Sequence, residues 1–179
     1  SAAALGYPED RATIFPWGID PKRFSPGPSA VRGGIAPPED FLMLSLRSLE
    51  PNYRVDTTIR AFLKAGAEDA AIQLMVLADG SERAALKALA ETAPADVRRR
   101  IHWLGRKPYD ELVDYYRAAD LYLSSSITDG SSVSLLEAMG CGLPVLVSDI
   151  PGNLEWVDDG KSGFLFPVGD SDAMAERML

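Results

Sequence analysis

Cysteine and histidine are almost absent from this chain of 179 residues, which holds one of each, Cys141 and His102. A lone thiol excludes an internal disulfide and any multi-cysteine zinc site, so a reducing compartment, the cytoplasm, is the natural expectation. His102 lies in an apolar run and reads as structural rather than as a base. Cys141, set between two glycines, does not read as a nucleophile. No apolar run approaches the ~18 residues a membrane helix needs, and no G-x-G-x-x-G dinucleotide fingerprint follows any strand-like run. Basic charge is also scarce: 18 Lys and Arg stand against 26 Asp and Glu, a net charge of −8. That balance argues against nucleic-acid binding, which calls for a basic face. The one dense basic cluster, Arg98-Arg99-Arg100, reads as a solvated helix end. The first residues, S-A-A-A-L-G, lack the basic start and apolar stretch of a secretory signal. The absence of an initiator Met, and a stop at Leu179 inside an amphipathic segment that begins near Asp172, lead us to expect a piece of a longer protein.

What is present is an ordinary globular composition, 46% hydrophobic and 25% charged. It reads as one domain, residues 1–179, able to bury roughly two-thirds of the surface its unfolded form exposes. From residue 41 onward, short apolar runs alternate with segments of helical period. The runs 41–46, 72–77, 101–104, 121–124 and 144–147 are continuously apolar, as strands covered on both faces must be. Residues 13–15 suggest one more. Val55, Ile59, Phe62 and Leu63 share a helical stripe, as do Leu86, Leu89 and Ala90, and again Tyr109, Leu112, Val113 and Tyr116. Ser81 is placed as the N-cap of the second helix. A further helix, 132–140, ends in Gly-Cys-Gly, a glycine C-cap feeding a strand. The proline-rich stretch 26–38 predicts a surface loop. The pattern is α/β: a Rossmann-like open, mainly parallel sheet with helices on both faces, whose ligands sit beyond the carboxyl ends of the strands.

The most informative segment is D-G-S-S-V-S-L-L-E, from Asp129 to Glu137, which leaves a strand and opens a helix. Free amides and the positive end of the helix dipole make such a start a site for phosphate, and Gly130 lets the backbone approach. Asp129 and Glu137 need another partner, because a carboxylate repels a diphosphate. Hydroxyl pairs are that partner, and a nucleotide-sugar offers one on its ribose and others on its hexose. The plainer alternative makes Ser131 or Ser132 an N-cap, Asp129 a loop residue and Glu137 part of an exposed helix face. Arg47, directly after the first long strand, suits phosphate oxygens with its fixed fork; alternatively it is a surface residue paired with Glu50. Asp170-Ser171-Asp172 has the acid-x-acid spacing that binds manganese elsewhere, yet it precedes the last amphipathic segment and is better explained as its cap. No other cluster suggests a metal, so no metal and no cofactor is expected.

Residues 129–147, D-G-S-S-V-S-L-L-E-A-M-G-C-G-L-P-V-L-V, resemble the acid, seven residues, Glu motif and the Ala-Met-x-x-Gly-x-Pro-Val of group 1, family four glycosyltransferases. The resemblance extends to I-F-P-W-G-I-D-P-K-R-F from Ile14, to I-H-W-L-G-R-K-P-Y-D-E-L from Ile101 and to G-N-L-E-W-V-D-D-G-K-S-G-F-L-F-P from Gly152. It implies the C-terminal, donor-binding half of the GT-B architecture. By that resemblance Glu137 would hold the ribose hydroxyls and Asp129 the transferred sugar, while the amides of Gly130, Ser131, Ser132 and Val133 meet sugar and diphosphate. Arg47 would neutralise the departing diphosphate, and Arg106 with Lys107 would border the base, the alternative being a solvated pair of charges. Three departures stand out. The first acid is Asp rather than Glu; the family's lysine after the arginine is missing, with Asn52, Tyr53 and Arg54 near its place and Arg54 the candidate substitute; and Trp17 replaces an Asn.

The function implied is retaining, metal-independent transfer of a sugar from a nucleotide-diphosphate sugar to an unidentified acceptor. The acceptor site would belong to an N-terminal domain absent from this chain, through which peripheral membrane contact is allowed, and the isolated chain would not turn over. The rival readings are a nucleotide-sugar epimerase of the same architecture and a simple nucleotide-sugar binding module.

Overall fold

Strands that are apolar on both faces are stable only when both faces are covered, and helices provide that cover here. The computed structural model describes Gly6, Pro8, Arg11, Thr13, Phe15 and residues 17–179. Its strands are β1 (Phe41–Ser45), β2 (Ile72–Val76), β3 (Ile101–Trp103), β4 (Leu121–Ser124), β5 (Val145–Ser148) and β6 (Phe164–Phe166). They form one sheet in the order β3-β2-β1-β4-β5-β6, with every pairing parallel. This is the doubly wound order in which the chain starts at the centre, builds one side, then crosses back to build the other.

Alternation along each strand separates two cores. Met43, Leu74, Val76, Leu123 and Leu146 pack with Ile59, Phe62 and Met174 on one face. Leu42, Leu44, Met75, Tyr122, Val145 and Val147 pack with Phe24, Tyr116 and Leu135 on the other. The first face is covered by α1 (Val55–Glu68), α2 (Arg83–Ala90), α3 (Ala95–Arg98) and α7 (Ser171–Met178). The second is covered by α4 (Leu112–Ala118) and α5 (Val133–Gly140); a short α6 (Pro151–Leu154) follows β5.

Several details differ from the sequence expectation. Thr13 and Phe15 belong to no strand, and Ile14 lies outside the described residues. β6 is a strand that the alternation did not signal, because three residues at a half-exposed edge carry too little pattern. Ser81 is not a cap: α2 starts after Glu82, and the Ser81 hydroxyl instead donates to Glu50 Oε2 at 2.6 Å. Arg100 is not merely solvated. Its guanidinium donates to the carbonyls of Gly66 and Asp69, at the end of α1 where carbonyls have no intrahelical partner, and to that of Ile72 at the start of β2. The proline-rich loop is pinned by Arg32, which donates to Ala118 O at 2.5 Å, Asp120 Oδ2 at 2.7 Å and Asp40 O at 2.5 Å.

Both expected helix ends are found. Gly142, at φ 74°, takes the left-handed conformation that turns the chain from α5 toward β5. The Asp170 carboxylate accepts from the amides of Asp172 and Ala173, both at 3.0 Å, at the start of α7. Removing this cap by Asp170→Ala should cost about 1 kcal/mol and lower the melting temperature by about 2–4 °C, measured by thermal unfolding. An unchanged melting temperature would show that water replaces the cap without loss.

Candidate functional site

Between β1 and β4 the order of the sheet reverses, so the loops leaving their carboxyl ends part and open a crevice. Arg47 leaves β1 and residues 125–132 leave β4. The two sides are stitched below the opening: the Ser125 hydroxyl donates to Arg54 O at 2.7 Å, and the Ile127 amide donates to Asn52 O at 3.0 Å. Gly152 packs so tightly beneath the β4 loop that an added Cβ would meet the Gly130 carbonyl and come within 2.7 Å of Asp129 O. Glycine is therefore required there to seat Asp129 and Gly130.

The crevice holds a cleft of about 400 Å³ lined by Trp17, Arg47, Tyr53, Tyr109, Asp129 and Glu137 together with the serines that open α5. Arg47 Nη1 donates to Ser132 Oγ at 2.7 Å and Ser134 Oγ at 2.9 Å; Nη2 donates to Asp129 Oδ2 at 2.5 Å. The Tyr53 ring lies 4.2 Å from the guanidinium carbon, a cation–π contact. Buried Nε has no partner among the described residues. Ser132 sits at the N-cap of α5 but makes no side-chain cap bond, because Arg47 takes its hydroxyl. Among the described residues, no side chain or carbonyl accepts from the amides of Val133, Ser134 and Leu135, so the positive end of this helix faces the cleft open.

Glu137, one turn further along α5, is 2% exposed. Its Oε2 accepts from the Tyr116 hydroxyl at 2.8 Å, whereas buried Oε1 has no partner among the described residues. Burial pushes this carboxyl above its ordinary range, against the opposing pull of the Tyr116 and Tyr109 hydroxyls and the Arg23 charge. Burial also holds the Tyr116 phenol well above its usual value, with Tyr122 and Glu137 adding to the effect, so it stays a donor. A smaller recess of about 180 Å³ adjoins the cleft through the shared walls Leu46, Ser48 and Leu112, and it is bordered by Asp79, Arg106 and Lys107. Two other hollows, of about 330 and 430 Å³, lie toward the opposite, amino ends of the strands around Pro144. They bring together no comparable set of charged groups.

This arrangement can be set beside known proteins. The family model described as glycosyl transferases group 1 matches residues 32–179. The chain belongs to this family. It is 29% identical over 182 residues to the amylovoran biosynthesis glycosyltransferase AmsK of Erwinia amylovora, covering 98% of this chain and 43% of that protein. It is 32% identical over 168 residues to the D-inositol 3-phosphate glycosyltransferase of Nocardia farcinica, covering 89% of this chain and 37% of that one. The chain thus spans less than half the length of these relatives. Among solved structures, Anabaena Alr3699/HepE in complex with UDP superposes with a TM-score of 0.78 at 24% identity, over 90% of this chain and 45% of that chain. The C-terminal domain of a group 1 glycosyl transferase (LpcC) from Francisella tularensis gives 0.77 at 18% identity, over 90% of this chain and 86% of that chain. The fold is the Rossmann-like half of the GT-B architecture.

Within this glycosyltransferase domain, Arg47, Asp129, Ser131, Ser132, Val133 and Glu137 line one cleft, with Gly130 in the same loop. Glu50 is occupied with Ser81 and does not pair with Arg47. Glu137 is buried rather than on an exposed face. Arg106 borders the adjoining recess. Arg54 turns away: its Nε and Nη2 hold Asp56 at 2.8 and 3.1 Å, and it is not among the cleft walls. Tyr53 is the member of that trio that reaches the site. His102 pairs with Gln73 at 2.9 Å outside the cleft, and burial raises the Cys141 thiol to about 11. Sequence reasoning missed Ser134 and Tyr109 as wall residues. Ser134 carries no signal of its own inside the informative motif, and helical spacing places Tyr109 in a stripe, whereas it precedes α4 and is half exposed.

The unpaired oxygen of Glu137 makes a stability prediction. A carboxyl whose folded-state pKa exceeds its unfolded value weakens the fold when ionised. The penalty is complete above the folded value and disappears once pH falls below the unfolded one. Glu137→Gln should therefore raise the melting temperature at neutral pH, by about 2–4 °C for each kcal/mol relieved, and leave it nearly unchanged near about pH 4. Melting curves across pH check this; equal destabilisation at every pH would contradict it.

Proposed function

We propose that this chain is a single donor-binding domain, residues 1–179, that holds a nucleotide-diphosphate sugar across the β1/β4 crevice for retaining transfer to an acceptor. One observation carries the reading: the Arg47 guanidinium, the open amides of α5 and the unpaired Oε1 of Glu137 converge on one cleft. A diphosphate calls for cation and amides together, and a ribose calls for a carboxylate acceptor of its hydroxyl pair. About one helical turn separates the two, as the two parts of one ligand require.

In this reading Asp129 meets the transferred sugar, and Gly130, Ser131, Ser132 and Val133 line the path of sugar and diphosphate. The recess beside Arg106 takes the base. As the bond from the anomeric carbon to the diphosphate oxygen breaks, the acceptor oxygen bonds to the same face and its proton passes to the departing diphosphate oxygen. The charge left on the diphosphate is met by Arg47 and the start of α5, both already aimed at it. Arg47 supplies the positive charge that a metal would otherwise bring, so the chemistry is metal-independent. The acceptor site and the other wall of the cleft belong to an N-terminal domain, so the isolated chain binds donor without turnover. Cytoplasmic placement is part of the same proposal. Among the described residues no helix is long and apolar enough to cross a membrane, and membrane contact would fall to the N-terminal domain.

A thermal-shift screen of UDP, GDP, ADP and their sugars tests the reading. A ligand at one hundred times its Kd adds about 2.7 kcal/mol, a rise of several degrees. Arg47→Ala should weaken the bound nucleoside diphosphate about 10- to 100-fold, because hydrogen bonds to charged groups contribute about 1.5–3 kcal/mol. Melting temperatures that stay flat across every nucleoside diphosphate and sugar would rule the reading out.

A further inference from the structure

Arg47 is the one cation among the described residues that line the cleft, and a long side chain of this kind loses much rotamer freedom when fixed. Of its five N–H donors, two on Nη1 are given to Ser132 and Ser134 and one on Nη2 to Asp129. Those left are one on Nη2 and the buried, unpaired Nε. Ser134 is the hub of this arrangement. Its Oγ accepts from Arg47, lies 3.2 Å from Ser132 Oγ, and lies 2.8 Å from the Tyr122 hydroxyl.

Tyr122 is the unexpected member. It occupies the middle of β4 between Leu121 and Leu123, is fully buried, and packs its ring among Phe24, Tyr116, Leu135 and Val145. Among the described residues its hydroxyl makes one hydrogen bond, with the Ser134 hydroxyl. A phenylalanine would fill the same core volume without a polar atom to satisfy, and burying a hydroxyl brings no packing advantage. The hydroxyl thus connects the rigid centre of the sheet to the guanidinium through a single serine.

We propose that Tyr122 and Ser134 are positioning residues: a buried hydroxyl relay that fixes the Arg47 fork so that its free donors face the phosphate farther from the ribose. The inference rests on the nucleotide-sugar reading of this cleft. With the ribose at Glu137, deeper along α5, Arg47 at the Asp129 end meets the distal phosphate. The relay should therefore matter for a diphosphate and little for a monophosphate.

The test measures UDP and UMP binding by calorimetry on the full chain, with GDP/GMP and ADP/AMP as alternative pairs. The variants are Tyr122→Phe, Ser134→Ala and Ser134→Thr. Tyr122→Phe and Ser134→Ala should each weaken diphosphate binding about 5- to 10-fold, the loss of one hydrogen bond that acts on a charged group, and change monophosphate binding by less than about twofold. Ser134→Thr, which keeps the hydroxyl, should stay near wild type. The double variant Tyr122→Phe/Ser134→Ala should be little worse than Ser134→Ala alone, because the two groups act in series. Unchanged diphosphate affinity in both single variants, or parallel loss for diphosphate and monophosphate, would overturn the relay alone. A wild-type chain that binds no nucleoside diphosphate would overturn the nucleotide-sugar reading and the relay with it.

Discussion

A guanidinium held inside the protein at the reversal point of the sheet is the constraint around which the rest of the site is built. Taking a cation out of water is costly unless every nearby group compensates. Here compensation comes from Asp129, two serine hydroxyls and the face of Tyr53. These come from the loop after β1 and the loop after β4, which approach each other only because β1 and β4 are central neighbours. The topology therefore comes first: the chain leaves β1 toward β2 and leaves β4 toward β5, so at this central pair the two loops diverge. The short turn 51–53, tied to the β4 loop through Ser125 and Ile127, then keeps the opening from closing or spreading.

The two carboxylates have different environments although they sit within one motif. Asp129 is partly exposed and faces a guanidinium; Glu137 is buried and shares one oxygen with a phenol. The first is neutralised by its partner, and the second keeps an oxygen with nothing to accept. An unfilled acceptor of this kind detracts from stability in the free protein and strengthens the hold on whatever hydroxyl reaches it, the usual exchange at a binding site. The two cores on either face of the sheet supply the stability that this arrangement gives up.

Much of this was legible in the sequence. Continuous apolar runs located β1 to β5 to within a residue, and acid, Gly-Ser-Ser and Glu spaced around a helix start identified the cleft. What stayed hidden has physical reasons. β6 is three residues at an edge, below the length at which periodicity carries information. Arg100 was read by its charge alone, but its role depends on carbonyls some thirty residues away in sequence, which no local pattern encodes. Tyr122 looked like one more apolar strand residue because its ring is one; only its hydroxyl belongs to the site. Arg54 and Tyr53 could not be ranked from sequence. The left-handed φ of 44° at Arg54, unusual for a residue with a Cβ, turns its side chain toward Asp56 and leaves Tyr53 under Arg47.

That choice changes how the site handles charge. With an aromatic ring where a second cation was expected, the cleft carries one positive side chain and must draw the remainder of its field from the start of α5. A dipole and an arginine are both fixed in direction, so the site depends on geometry more than on net charge. On the proposed nucleotide-sugar reading, Asp129 has two tasks that cannot be performed at once through the same oxygen. Its Oδ2 is the counter-ion of Arg47 in the free protein, yet the sugar needs a carboxylate turned toward its hydroxyls. On that reading an incoming diphosphate would resolve the conflict by replacing the carboxylate on the guanidinium with a phosphate oxygen of the same sign and similar geometry. The freed Asp129, one methylene shorter than a glutamate, would then reach the sugar by movement of its loop rather than of its side chain. The tight seat of that loop on Gly152 sets how far such movement can go.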